Sequence, residues 1–278
     1  MSSQDNPIRV LVIGAHPDDC DVAAGGLAAV YTSEGHTVKF FSMTNGDTGH
    51  HRIGGGDLAR RRYAETQASA RVLGIEYEVN DHHCGHLEPS LVNRQRVIRT
   101  IRNFKADLVL THTPDDYHPD HRYTSFLVQD AAYLVTVPGM CPLTPHLRKN
   151  PVFGYVAGTE TVSAMFRPDV LVDLGQVIEK KLAMLFCHES QWLEWIPYNR
   201  NCEDEVPSDP DGQREYMRNR WDTRLKPFAE KWRDRLIEQY GRKRGEKVQF
   251  AEGIQICPFG AQPDQAERRR LFPFLPPT

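Results

Sequence analysis

The chain has no long hydrophobic run. Its longest apolar stretches are strand-sized, far short of the roughly 20 apolar residues of a membrane-spanning helix, so no membrane span is expected. The opening stretch, Met1-Ser2-Ser3-Gln4-Asp5-Asn6-Pro7, is polar and lacks the apolar segment of a signal peptide. Basic excess is also missing: 34 Lys and Arg against 37 Asp and Glu give a formal net charge of −3, which argues against a broad nucleic-acid surface. Two local basic runs, Arg60-Arg61-Arg62 and Arg268-Arg269-Arg270, read as solvated helix faces. The six cysteines are scattered without CxxC spacing, so free thiols in a reducing, cytoplasmic setting are expected rather than a disulfide framework. No Gly/Ser-rich or Pro-rich linker and no internal repeat divides the 278 residues. One domain is therefore expected, with a core over 8–191 and a helical C-terminal region over 192–278.

What the chain does have is alternation. Strand-type runs at 8–14, Val38–Met43, Glu76–Val79, Asp107–Thr111, Phe153–Ala157, Val170–Leu174 and Phe250–Cys257 are separated by helix-type segments. The helices expected are Val22–Ser33, Asp57–Leu73 (stopped by Gly74), Val92–Phe104, Asp120–Val135, Val177–Trp195 and Gly212–Tyr240. Strands alternating with helices of this length predict an α/β fold, Rossmann-like: a mostly parallel, doubly wound sheet with helices on both faces. All four tryptophans, Trp192, Trp195, Trp221 and Trp232, fall in the C-terminal part. They read as packing residues or as the surface of a homo-oligomer, with sugar stacking by Trp192 or Trp195 as the alternative.

Chemistry concentrates behind two of the strand runs. Ile8–Ile13 leads into Gly14-Ala15-His16-Pro17-Asp18-Asp19, and Leu108-Val109-Leu110 is followed by His118-Pro119-Asp120-His121. Ligands of open α/β sheets bind beyond the carboxyl ends of strands. His16, Asp19 and His121 supply two nitrogens and an oxygen, a set that suits a catalytic zinc with one position open for water. Iron(II) or another divalent ion fits the same donors. Asp18 is left free to take the proton of an activated water and pass it to a leaving amine. His118, if protonated, can steady a developing oxyanion, and Asp120 can orient an imidazole through its second nitrogen. Taken alone, the first cluster reads as helix capping by aspartate and the second as a surface turn with a capping Asp120; their joint occurrence behind two strands favours one metal site. His112 also ends a strand, as a structural or a functional histidine. His82-His83-Cys84-Gly85-His86 crowds its donors on one short loop, against a second metal site. Carboxylates stand in the first turn where a dinucleotide phosphate would need glycines, which argues against that ligand.

These residues, together with Gly25-Gly26, Thr44-Asn45-Gly46-Asp47, Arg62-x-x-Glu65, Leu73-Gly74, His188-x-Ser190-Gln191 and Ala251-Glu252-Gly253, resemble the PIG-L/LmbE-like zinc deacetylase family. The resemblance implies a Rossmann-like fold and removal of an N-acyl group, usually acetyl, from an N-acetylated amino sugar or its conjugate. It implies His16, Asp19 and His121 as zinc ligands, Asp18 as general base and His118 as acid or oxyanion stabiliser. It places substrate contacts on the segments carrying Asp47, Arg62, Cys84 and His188, and implies assembly into oligomers. There are departures from the family pattern. Cys20 stands where glutamate is common, although part of the family has cysteine there. Asp116 stands where some members have a tyrosine two residues before His118. Cys84 falls where many members carry an aspartate on a sugar hydroxyl, and a thiol cannot accept as a carboxylate does. Two further readings keep or leave the chemistry: an amidase for a larger thiol- or glyco-conjugate, and a non-catalytic sugar- or metal-binding module. The second is disfavoured because Asp18 has little purpose in a pure binder.

Overall fold

The computed structural model describes residues 7–157 and 165–276; apart from Pro7, the polar N-terminal stretch lies outside them. In chain order the elements are β1 (Arg9–Gly14), α1 (Asp19–Ser33), β2 (Thr37–Ser42), α2 (Gly55–Leu73), β3 (Glu76–Val79), α3 (Leu91–Phe104), β4 (Leu108–Thr111) and α4 (Pro119–Leu134). There follow β5 (Val152–Val156), β6 (Val170–Asp173), α5 (Ile178–Phe186), a π-helical segment (Ser190–Trp195), α6 (Ile196–Asn199) and a 3₁₀ turn (Glu203–Glu205). The chain continues as α7 (Pro210–Lys231), α8 (Arg233–Tyr240), α9 (Arg242–Gly245), β7 (Ala251–Gly260) and α10 (Gln265–Leu271). No helix among the described residues is long and apolar enough to cross a membrane.

Seven strands form one sheet in the order β3-β2-β1-β4-β5-β7-β6. The pairs from β3 through β5 are parallel; β7 runs antiparallel to both β5 and β6. β1 is apolar at consecutive positions because it is covered on both faces, as a central parallel strand must be. Val10 and Val12 join Leu27 and Tyr31 of α1 and Ala70 of α2 on one face. Leu11 and Ile13 join Val97, Ile98 and Ile101 of α3 and Leu127 and Val128 of α4 on the other. The doubly wound, mostly parallel architecture expected from the alternation is thus present. From β1 the chain passes to β2 on one side, and from β4 to β5 on the other. The carboxyl ends of β1 and β4 therefore flank the crevice where α/β folds place their ligands.

Two helix expectations change, and one helix was not expected. The helix expected over Val177–Trp195 ends at Phe186 and resumes as the π segment. There Glu65 accepts from the Ser190 N–H (2.9 Å) and hydroxyl (2.6 Å), and Gln191 donates to the Gly49 carbonyl (2.9 Å). These side-chain partners compete with a regular ladder, the usual origin of such an insertion. The helix expected over Gly212–Tyr240 starts earlier, with Asp209 as cap and Pro210 in the first turn, and divides at Trp232. Helix α10 was legible in the Asp264-x-x-Glu267 pair, a capping signal: Asp264 accepts from the Glu267 N–H at 2.8 Å.

The two basic runs also depart from solvated faces. Arg270 pairs with Asp107 and Glu267, Arg61 pairs with Glu194, and Arg62 is buried at 2% exposure.

One buried ion pair joins Lys181 of α5 to Glu252 of β7, and both ends bond the backbone of α1. Lys181 Nζ donates to Glu252 (2.5 Å) and to the carbonyls of Asp21 (3.0 Å) and Val22 (2.7 Å). Glu252 also accepts the N–H groups of Gly26 (2.9 Å) and Leu27 (2.6 Å). A Cβ on Gly26 would stand 2.6 Å from Leu174 and 3.0 Å from Glu252, so this approach requires glycine. Glu252→Ala leaves the Lys181 ammonium buried without its counter-ion. We expect it to cost about 3–5 kcal/mol, read as a lowered midpoint in urea unfolding; a loss under about 1 kcal/mol would contradict this account of the pair.

Candidate active site

At the end of β1 the chain turns sharply before α1. The Asp19 carboxylate closes this turn, accepting from the N–H groups of Ala15 (3.0 Å) and His16 (2.7 Å). Asp18 occupies the position before the helix, yet its side chain makes no capping bond. Its backbone stands at φ 140°, outside the regions that non-glycine residues ordinarily adopt, a strain that tends to persist at functional sites. The second cluster opens α4. His118 caps that helix, its Nδ1 accepting from the Asp120 N–H at 3.1 Å, and His121 follows within the first turn.

The fold brings the two clusters together. His16 Nδ1 lies 3.2 Å from His121 Nε2, and Asp19 Oδ2 lies 3.4 Å from each of those nitrogens. Three donors about 2.0–2.1 Å from a tetrahedral ion stand roughly 3.3–3.4 Å apart, so the triangle fits a small divalent metal. The remaining nitrogen of each histidine faces a carboxylate: His16 Nε2 lies 3.2 Å from Asp120, and His121 Nδ1 lies 2.9 Å from Asp116. Such outer partners fix which nitrogen of a ligating histidine points at the metal. His118, with His16 and His121, also falls within metal-binding reach, as do Cys84 and Asp120 with His16, and His112 with Asp19 and His121. His112 stacks on His121 with ring centres 4.1 Å apart.

The electrostatics favour positive charge at the triangle. Burial pushes His121 down, but Asp19 and Asp116 outweigh it and lift its pKa to about 9. His16 is raised in the same way by Asp19 and Asp120. Asp19 is held well below the carboxylate range despite burial, by His121, His112 and His16. Burial lifts Asp18 to about 6, against the pull of Arg62. Burial, then His16 and His121, lower His118 to about 4. His118 Nδ1 accepts the Asp120 N–H, which leaves Nε2 as the nitrogen that can donate into the cleft.

These groups line a cleft of about 440 Å³, whose other wall includes Gly49, Gln191, Trp192, Trp195 and Arg200. Arg62 and Cys84 border it; Asp47 and His188 are not among its lining residues. The Arg62 guanidinium donates to Asp18 Oδ1 (2.9 Å) and the Pro17 carbonyl (2.6 Å). Asp47 accepts from the Cys84 N–H (3.0 Å) and pairs with His83 (2.5 Å), so it holds the loop that carries Cys84. His188 is fully buried, 3.2 Å from Asp21. Trp192 and Trp195 both line the cleft, and Trp192 is otherwise buried with its ring centre 4.7 Å from Trp221. Among the described residues, His82, His83 and His86 join no metal-type group. Asp116 was missed as a partner of His121. Its position five residues before that histidine, in the loop leaving β4, was the available signal.

A family model described as "PIG-L: GlcNAc-PI de-N-acetylase" matches residues 11–132. The chain is 30% identical over 210 residues to a diacetylchitobiose deacetylase of Thermococcus kodakarensis, covering 69% of this chain and 75% of that protein. It is 26% identical over 198 residues to a 4-oxalmesaconate hydratase of Pseudomonas putida, covering 68% and 76%. Among solved structures, an N,N'-diacetylchitobiose deacetylase from Pyrococcus horikoshii shares the fold with TM-score 0.69 at 24% identity, covering 90% of this chain and 84% of that one. The hydratase GalB shares it with TM-score 0.70 at 19% identity, covering 92% and 99%.

Proposed function

The chain belongs to the PIG-L family, and from that premise we propose that it is a metal-dependent amide hydrolase that removes the acetyl group of an N-acetylated amino sugar or its conjugate. One observation carries the reading: a triangle of metal-type donors, His16 Nδ1, His121 Nε2 and Asp19 Oδ2, in the same cleft as an uncapped carboxylate, Asp18. Zinc suits this donor set, with iron(II) as the alternative. A divalent ion held there would supply Lewis acidity, lowering the pKa of a water toward about 7 and polarising the acyl carbonyl. Asp18 is the group placed to take a proton from the attacking water and deliver it to the departing nitrogen. Its pKa of about 6 leaves it mostly ionised at neutral pH and basic enough to accept. His118 donates from Nε2 to the oxygen on which negative charge develops. Asp116 and Asp120 hold the ligating imidazoles in their tautomers.

Cys84 faces the cleft where many family members place a sugar-binding aspartate, so free N-acetylglucosamine should be a poor substrate. Cys84→Asp is expected to raise kcat/KM toward it by roughly ten- to a hundred-fold, the value of one restored hydrogen bond to a buried hydroxyl, with metal content unchanged. Efficient hydrolysis of the monosaccharide by the unaltered protein would contradict this.

A hydratase relative of 26% identity keeps a second reading in view, in which the same metal and base add water to an activated alkene. Metal-loaded protein incubated with a panel of N-acetylated glucosaminides, bulky N-acyl conjugates and a conjugated enol dicarboxylate separates the readings. The proposal expects acetate from the glucosaminides. Loss of the diene absorbance without acetate would replace it with the hydratase.

A further inference from the structure

We propose that Arg62 is a positioning residue for Asp18, fixing both the peptide and the carboxylate of the base so that its oxygen faces the reacting centre. The inference rests on Asp18 being the base. Arg62 grips two points on one short segment: Nη2 donates to the Pro17 carbonyl at 2.6 Å and to Asp18 Oδ1 at 2.9 Å. The first bond fixes the peptide that enters Asp18; the second fixes its side chain. Together they hold a residue whose φ of 140° would otherwise relax, since such conformations cost of order 1–3 kcal/mol and need surrounding restraint. Tyr77 adds a third point, its hydroxyl accepting from the Asp18 N–H at 3.1 Å.

The guanidinium is itself backed by bare chain. Nη1 donates to the Gly46 carbonyl at 3.4 Å. Gly46 stands at φ +71°, and a Cβ there would lie 2.5 Å from Arg62 Nη1. Glycine is required twice at this position, for the backbone and for the approach of the guanidinium. A lysine could not reproduce the grip, because its single ammonium lacks the second nitrogen that here bonds Gly46 while Nη2 holds Pro17 and Asp18. By its family position Arg62 is expected to contact substrate. Its hydrogen bonds to the base and to the loop behind it predict that its loss acts on turnover rather than on substrate affinity.

The test uses metal-loaded Arg62→Lys and Arg62→Met with the N-acetylated glucosaminide that the unaltered protein hydrolyses best. Misplacement of a reacting group by about 1 Å costs about 10²-fold, so kcat should fall by about that factor in Arg62→Met while KM and metal content hold. In the Asp18→Asn background, Arg62→Met should cost little further, because the group it positions is already gone. Gly46→Ala retains Arg62 but presses on its guanidinium, and should also lower kcat, which covers the case in which the arginine variants fail to fold. A raised KM with kcat intact, or full additivity with Asp18→Asn, would overturn the proposal and leave the base assignment standing. An Asp18→Asn variant as active as the parent would remove the base assignment, and this proposal with it.

Discussion

His121→Ala is expected to leave the protein almost without bound metal and without measurable acetate release. The imidazole contributes one of three donors, and its Nε2 stands 3.2 Å from His16 Nδ1 and 3.4 Å from Asp19 Oδ2. Two donors rarely keep zinc at a mononuclear site. Loss of an outer partner of a ligating histidine typically costs about 10–100-fold in metal affinity or activity, so loss of the histidine should exceed that. Asp116→Asn provides the graded comparison. It leaves all three donors and disturbs the 2.9 Å contact to His121 Nδ1 together with the His118 N–H bond (3.1 Å) that the same oxygen accepts, so it should weaken metal binding within that 10–100-fold range. Metal analysis after dialysis, with activity on the same samples, checks both. A His121→Ala protein that retains one equivalent of metal would show that another group, such as His118 or His112, is the ligand.

Asp18→Asn should do the opposite: retain the metal and lose turnover. The amide is nearly the size of the carboxylate and can still face Arg62, but it cannot accept a proton. General-base contributions amount to about 10²–10⁴-fold, so kcat should fall by at least about 10²-fold. The position argues for this separation of roles. Asp18 makes no capping bond to α1, and its oxygen is held by Arg62 at 2.9 Å rather than placed in the donor triangle. Parallel loss of metal and turnover in Asp18→Asn would mean that the residue serves the metal, and the base would have to be sought elsewhere.

Much of the site was legible in the sequence because the sheet does the assembling. A histidine and two carboxylates directly after β1, and a second cluster soon after β4, must meet if those strands are neighbours, and the register pairs Val10–Ile13 with Leu108–Thr111. Parallel strands with apolar residues at consecutive positions made that pairing readable. What escaped depended on contacts between distant segments. Helix period alone could not show that Glu65 would take the Ser190 N–H and hydroxyl and turn a continuous helix into a π segment. Nor could a basic triplet reveal that Arg60 stays exposed, Arg61 reaches Glu194 and Arg62 turns inward to Asp18. Pairing of β7 between β5 and β6 was equally hidden, because an antiparallel strand arriving after a long helical stretch leaves no local mark of its neighbours. Asp47 and His188 were picked out by motif position; neither is among the residues lining the cleft, and one holds the Cys84 loop while the other lies beside Asp21.

The central claim, amide hydrolysis at a single metal held by His16, Asp19 and His121, is met most directly by titrating metal-stripped protein with zinc while following acetate release from N,N'-diacetylchitobiose. The account predicts no acetate from the stripped protein, and a rate that climbs in proportion to zinc and levels off at one equivalent. Acetate released equally with and without metal, or no acetate at any loading from this or any N-acetylated glucosaminide, would contradict it.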